Sequence, residues 1–284
     1  MEATVPQDKL GLVLKLGFYL FLVIVGLPLY AVVLSAAGYL IAATGATFGS
    51  GITANALSVR VFERAALPIV GLGWTRASRR HLVIGFAAGA AAAAVVTVLP
   101  LLAGMAELVP DPERPASAAS ILFVSVLLLF GAVGEELLFR GYGFQIVAAS
   151  LGAPVALFVS SALFGYVHMS NLNASPLGIA NTVAYGVVLG FAFLRAGDLW
   201  LPIGIHFGWN WVLPLAGVSL SGFRIGLTGY TLRWNVPDVW SGGAYGPEGG
   251  VLTTCVIAGL LLFLWRMPLM RQHAALLMRP KQEG

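Results

Sequence analysis

Between residues 10 and 46 the sequence carries one charged side chain, Lys15. Runs free of Asp, Glu, Lys and Arg recur over 82–102, 117–134, 155–168, 177–194, 199–216 and 251–265. These lengths are close to the roughly 20 apolar residues that a membrane-crossing helix needs. An open sheet edge cannot be satisfied in lipid, so repeated runs of this kind leave a helical bundle as the fold. Composition agrees: 58% of residues are hydrophobic and 10% charged, whereas soluble globular chains are about 25% charged. We therefore expect an all-α, polytopic transmembrane bundle of about seven to eight membrane helices. The formal charge of +4 is small. The basic residues gather at segment ends (Arg76, Arg79 and Arg80; Arg266, Arg271, Arg279 and Lys281). That pattern fits membrane orientation rather than nucleic-acid binding. The lone Cys255 lies in an apolar run and supports no disulfide framework.

The spacing of the runs sets the organisation. After a polar start over 1–9, residues 10–46 read as one long helix, kinked at Pro28; a hairpin there would raise the span count from seven to eight. Residues 47–80 read as a surface segment with an interfacial helix near 54–67, and His81 as an interface residue. Spans follow near 82–102, 117–140, 155–168, 177–194, 199–216 and 251–265, with an acidic, proline-rich loop over 107–115. The 217–249 segment is long and aromatic, which fits either an ordered cap or a membrane-interface belt. Basic clustering places Arg76–Arg80, Arg195 and the tail on the cytoplasmic side. Residues 1–114 read as N-terminal membrane helices and 115–284 as the core, within one integrated membrane domain.

Three polar pairs interrupt the apolar helices. Glu136 and Arg140 are four residues apart, carboxylate first, the favourable order for a helical ion pair. Glu135 points about 100° away from Glu136, given 3.6 residues per turn, and so escapes the arginine. A carboxylate beside apolar groups is a better proton acceptor than a solvated one, which suits a general base. Phe164 and His168 form the second pair, His206 and Asn210 the third, each again at helical spacing. The His206 and Asn210 side chains could donate together to an oxyanion. Ionisable groups within membrane helices mark functional cavities by default. His-Glu-x-x-His and Gly-x-Ser-x-Gly motifs are both absent from the sequence.

Glu135-Glu136-x-x-x-Arg140, Phe164-x-x-x-His168 and His206-x-x-x-Asn210, in that order and in separate helices, resemble the CPBP family. It comprises the CAAX prenyl endopeptidase-like and bacteriocin-processing membrane proteins, with the type II CAAX proteases as a branch. Gly-Pro-Glu-Gly at 246–249 is similar to bacterial members. The resemblance covers about 115–265. It implies a glutamate-dependent endopeptidase with a polar catalytic cavity. Glu135 would activate water with His168, His206 and Asn210 would form the oxyanion site, and Glu136, Arg140 and Phe164 would support them. No cofactor is implied; zinc is a minority alternative, since His and Glu both serve as ligands. The implied partners are the lipid bilayer and a peptide or membrane-protein substrate. The Ala-, Gly- and Arg-rich composition points to a bacterial cytoplasmic membrane. Some relatives act as immunity proteins or scaffolds, so a non-catalytic scaffold using the same cavity is the alternative. A transporter with Glu135 as a proton site is a third.

Overall fold

The computed structural model describes residues 9–277. The polar start and the basic residues Arg279 and Lys281 lie outside them. Ten α-helices follow in chain order: α1 (Lys9–Leu34), α2 (Tyr39–Ser58), α3 (Arg76–Leu102), α4 (Ala118–Arg140), α5 (Tyr142–Leu151), α6 (Ala153–His168), α7 (Pro176–Ala196), α8 (Trp200–Leu215), α9 (Asp238–Ser241) and α10 (Val251–Arg266). The all-α bundle expected from the apolar runs is the observed architecture. The segments Lys9–Ala37, Arg76–Leu102, Ala118–Leu151 and Pro176–Ala196 are long and apolar enough to cross a membrane, and α6 and α10 are shorter apolar helices.

The N-terminal third departs from expectation. Residues 10–46 form a hairpin rather than one kinked helix. The chain leaves α1 through the short turn Ser35–Ala37 and reverses at Gly38, whose φ of 96° is open to glycine but costly to other residues. Pro28 stays inside α1. The supposed interfacial helix near 54–67 does not form, and 47–58 are not a surface segment, although Leu57 is exposed. They complete α2 and bury Ser50, Gly51, Ala54, Asn55 and Ser58. Small side chains at these positions let the helix approach α4 closely instead of lying on lipid. A π-helical turn, Val59–Glu63, then ends the element.

This hairpin grips the end of α4. Asn55 Nδ2 donates to Gly51 O at 2.8 Å and Leu137 O at 2.9 Å, and Asn55 Oδ1 accepts from Tyr142 N at 2.6 Å. Tyr19 Oη lies 3.0 Å from Leu137 O and 2.9 Å from Leu138 O. Side chains from α1 and α2 thus reach Leu137 O and Leu138 O where α4 stops, while Ser160 and Gln145 donate to Phe139 O and Arg140 O.

Helices α3 and α8 pack almost backbone to backbone. A Cβ on Gly85 or Gly89 would collide with Leu201 O or Ile205 O, and one on Gly204 or Gly208 with Leu82 O or Phe86 O. Glycines four apart on both helices permit this contact. Thr75 caps α3 by accepting from Ser78 N at 3.1 Å, so the helix starts at Arg76 rather than at 82. His81 thus lies in the second turn of α3. It is 1% exposed, with Nδ1 2.7 Å from Asp198 Oδ2 at the α7–α8 turn.

Two small sheets complete the fold. β1 (Ala106–Pro110) pairs antiparallel with β4 (Tyr230–Trp234), bringing Glu107 opposite Arg233; β2 (Ser219–Leu220) pairs with β3 (Phe223–Arg224). Part of the acidic loop is thus a strand. The 217–249 segment is an ordered cap. Its Tyr245 is buried, and Arg224 donates to Asp111 Oδ2 at 2.9 Å.

Candidate active site

Arg140, Glu136 and His206 form a dry core. Arg140 and Glu136 are fully buried and 3.2 Å apart (Nη1 to Oε1). The same Glu136 oxygen lies 2.8 Å from His206 Nδ1. A carboxylate only accepts, so His206 Nδ1 carries its proton toward Glu136. Arg140 Nη2 donates to Gly186 O on α7 at 2.9 Å, and its guanidinium lies 4.9 Å from the Phe164 ring centroid. Arg140 thus ties α4 to α6 and α7, and its partner Glu136 adds α8 through His206.

Glu135 points elsewhere, as the helix geometry requires. Its side chain is 27% exposed, and its Oε2 is 3.7 Å from His206 Nε2. That oxygen has no hydrogen-bond partner among the described groups. The gap is too long for a direct bond and short enough for one oxygen atom bonded to both groups.

His168 reaches the same place from α6. Ser160 Oγ donates to Phe139 O at 2.7 Å, which sets the middle of α6 level with the end of α4. Two further turns toward its C-terminus, about 12 Å at 1.5 Å per residue, carry His168 along α4 past the level of Glu135. The ten-residue α5, unforeseen in the sequence, provides the offset that lets α6 run back alongside α4. His168 Nδ1 is 2.7 Å from Phe164 O, so that nitrogen donates and Nε2 is left as an acceptor. The Phe164 ring is buried between Arg140 and His168, with centroids 4.6 Å apart on the histidine side.

Glu135, Phe164, His168, His206 and Asn210 all line one cavity of about 710 Å³, while Glu136 and Arg140 stand behind its wall. Residues 220–225 of the cap and apolar side chains such as Leu40, Leu127 and Leu128 complete the lining. Several lining residues were not anticipated. Tyr185 donates to Ile205 O at 3.2 Å, and its ring lies 6.2 Å from that of His206 and 5.4 Å from that of Trp209. Asn181 and Tyr185 sit four apart in an apolar helix, the same signal that marked the other pairs. Glu248, from the Gly-Pro-Glu-Gly run, accepts from Trp209 Nε1 at 3.1 Å. Burial pushes its carboxyl above the ordinary range, while the donors from Ser221 and Trp209 pull it back. Among the described residues, no group of three or more His, Cys, Asp or Glu is placed to hold a metal.

Comparison with known proteins adds one finding. Residues 117–212 match the family model described as Rce1-like, type II CAAX prenyl endopeptidase Rce1-like. The match spans 96 of 284 residues (212 − 117 + 1), from the start of α4 into the last turn of α8. All seven residues singled out from the sequence fall inside it. No curated protein matches the chain.

Proposed function

We propose, from the premise of an Rce1-like membrane-protease domain over 117–212, that the chain is a glutamate-dependent endopeptidase. Its substrate is a peptide or membrane-associated protein entering the cavity from the bilayer. One observation carries the reading. A partly exposed Glu135 with an unpartnered oxygen stands 3.7 Å from a histidine that is itself fixed from behind by a buried ion pair.

In the proposed reaction, Glu135 takes a proton from water while His168 Nε2 accepts the water's second hydrogen bond. The oxygen attacks the scissile carbonyl carbon. Charge passes to the carbonyl oxygen, which receives hydrogen bonds from Asn210 Nδ2 and, when the imidazole is protonated, from His206 Nε2. Collapse of the tetrahedral species breaks the C–N bond, and Glu135 returns its proton to the leaving amine. Glu136 fixes His206 through Nδ1 in both protonation states, and Arg140 balances the Glu136 charge. Two carboxylates against one guanidinium leave this cluster one negative charge in excess, which a protonated His206 cancels.

Comparative membrane peptidomics tests the reading. Cells expressing the wild-type chain accumulate cleaved C-terminal or membrane-segment peptides that are missing with Glu135→Ala and with His206→Ala. Cleavage products unchanged in either variant, with protein levels equal, would refute the assignment.

A further inference from the structure

The partly buried carboxyl of Glu248 has no part in the reaction above, yet it lines the same cavity. Its Oε1 faces Trp209 Nε1 at 3.1 Å and Ser221 Oγ at 3.3 Å, and its Oε2 accepts from Ser221 N. Each oxygen therefore meets an N–H donor, which only a group accepting at both oxygens satisfies fully.

The two elements joined in this way are different in kind. Trp209 belongs to α8, one residue before Asn210. Ser221 lies in the turn between β2 and β3, and residues 220–225 wall one side of the cavity. Ser221 has a φ of 48°, in the left-handed region that disfavours non-glycine residues. The carboxylate itself stands on fixed support. The carbonyl of Glu248 accepts from Asn181 Nδ2 on α7 at 2.8 Å, and Thr253 Oγ1 on α10 donates to Pro247 O at 2.6 Å. A rigid arm thus reaches across to a turn that the backbone alone does not favour.

We infer that Glu248 is a positioning residue whose carboxylate holds the Ser221–Gly222 turn against α8 and so fixes one wall of the substrate cavity. Its kinetic consequence rests on the peptidase reading; its structural consequence does not. The contact between Glu135 and His206 is secured separately, by Glu136 and Arg140. Loosening the turn therefore weakens substrate binding more than the chemical step.

The test uses the full chain purified in detergent. Glu248→Gln keeps the shape but turns an NH2 toward one of the two N–H donors. Amide exchange over residues 219–224 rises roughly tenfold, the equivalent of one lost charge-assisted hydrogen bond. The KM for a cleaved peptide rises by roughly the same factor, with kcat within about threefold of wild type. Ser221→Gly in the Glu248→Gln background restores both, because glycine takes a positive φ without cost. If Glu248→Gln does not fold, Trp209→Phe removes one donor and uncouples the turn from α8, so exchange over 219–224 rises there too. Unchanged exchange in whichever variant folds overturns the inference. So does a fall in kcat at constant KM, or failure of Ser221→Gly to restore protection. Because exchange is read without substrate, a chain that cleaves nothing still tests the positioning role, whereas loss of cleavage in Glu135 variants tests the peptidase reading.

Discussion

Replacing Glu136 with alanine exposes how the site is held together. The carboxylate faces two partners, Arg140 Nη1 at 3.2 Å and His206 Nδ1 at 2.8 Å, with no solvent access. Its removal leaves a fully buried guanidinium with Gly186 O and the Phe164 and Phe139 faces, and strands the His206 proton. Breaking a buried pair from one side costs about 3–5 kcal/mol. Each kcal/mol lowers the melting temperature by roughly 2–4 °C in chains near this size. The Gly186 bond survives, so the lower half of that range applies, and we expect a drop of about 6–16 °C. Tryptophan fluorescence in detergent follows the transition, at one fixed scan rate because irreversible unfolding makes the midpoint rate-dependent. The double variant Glu136→Leu/Arg140→Met removes both charges and leaves only the stranded His206 N–H, about 1–3 kcal/mol. It therefore melts above Glu136→Ala. Glu135→Gln, partly exposed and outside the pair, stays within about 2 °C of wild type. A Glu136→Ala variant as stable as wild type, or a double variant less stable than the single, refutes the electrostatic account.

Three further outcomes follow from the packing and the cap. Gly89→Leu forces α3 from α8 at Ile205 O and costs about 3 kcal/mol or more, read as a melting shift, while Gly259→Leu, with open space at its Cβ, stays within about 0.5 kcal/mol. Asn55→Ala strands Tyr142 N at the α4–α5 junction and costs about 1–3 kcal/mol by the same assay. Hydrogen bonds from Asn235 and Arg233 hold the Glu107 carboxyl below its ordinary range. A depressed folded value contributes stability above the unfolded value and loses it as pH falls through the folded one. The melting difference between wild type and Glu107→Gln is therefore full at neutral pH and vanishes in acid; a difference independent of pH contradicts the pairing.

Most of the helices were legible because lipid imposes a length and an absence of charge, which a sequence shows directly. Spans α4, α6, α7, α8 and α10 could be placed within two residues on that ground, and α3 apart from its first six residues. The N-terminal third was not legible for the opposite reason. Residues 47–58 carry Ser50, Thr53 and Asn55, which lower the hydropathy and read as surface. In the structure Ser50 and Thr53 pair with Val23 O and Tyr30 of α1, and Asn55 satisfies backbone groups of α4 and α5, roles visible only once the helices are packed. The buried pairing of His81 was hidden in the same way, since its partner Asp198 lies 117 residues away. Within the site, helix geometry alone separated Glu135 from the Glu136–Arg140 pair. It could not show that His206 touches both glutamates, because that contact depends on the glycine-mediated approach of α3 and α8 and on α7 supplying Gly186. Glu248 stood in a run noticed only for its resemblance, and its bonds to Trp209 and Ser221 cross 39 and 27 residues.

Whether Glu135 is the base that activates water is decided with purified protein in liposomes. The measurement is the single-turnover rate of peptide-bond cleavage, followed by mass spectrometry, for wild type and Glu135→Gln at matched folded fraction. Loss of a general base lowers the rate by about 10²–10⁴-fold. The account predicts a fall at least that large with the melting temperature unchanged. Cleavage by Glu135→Gln within about tenfold of wild type contradicts it.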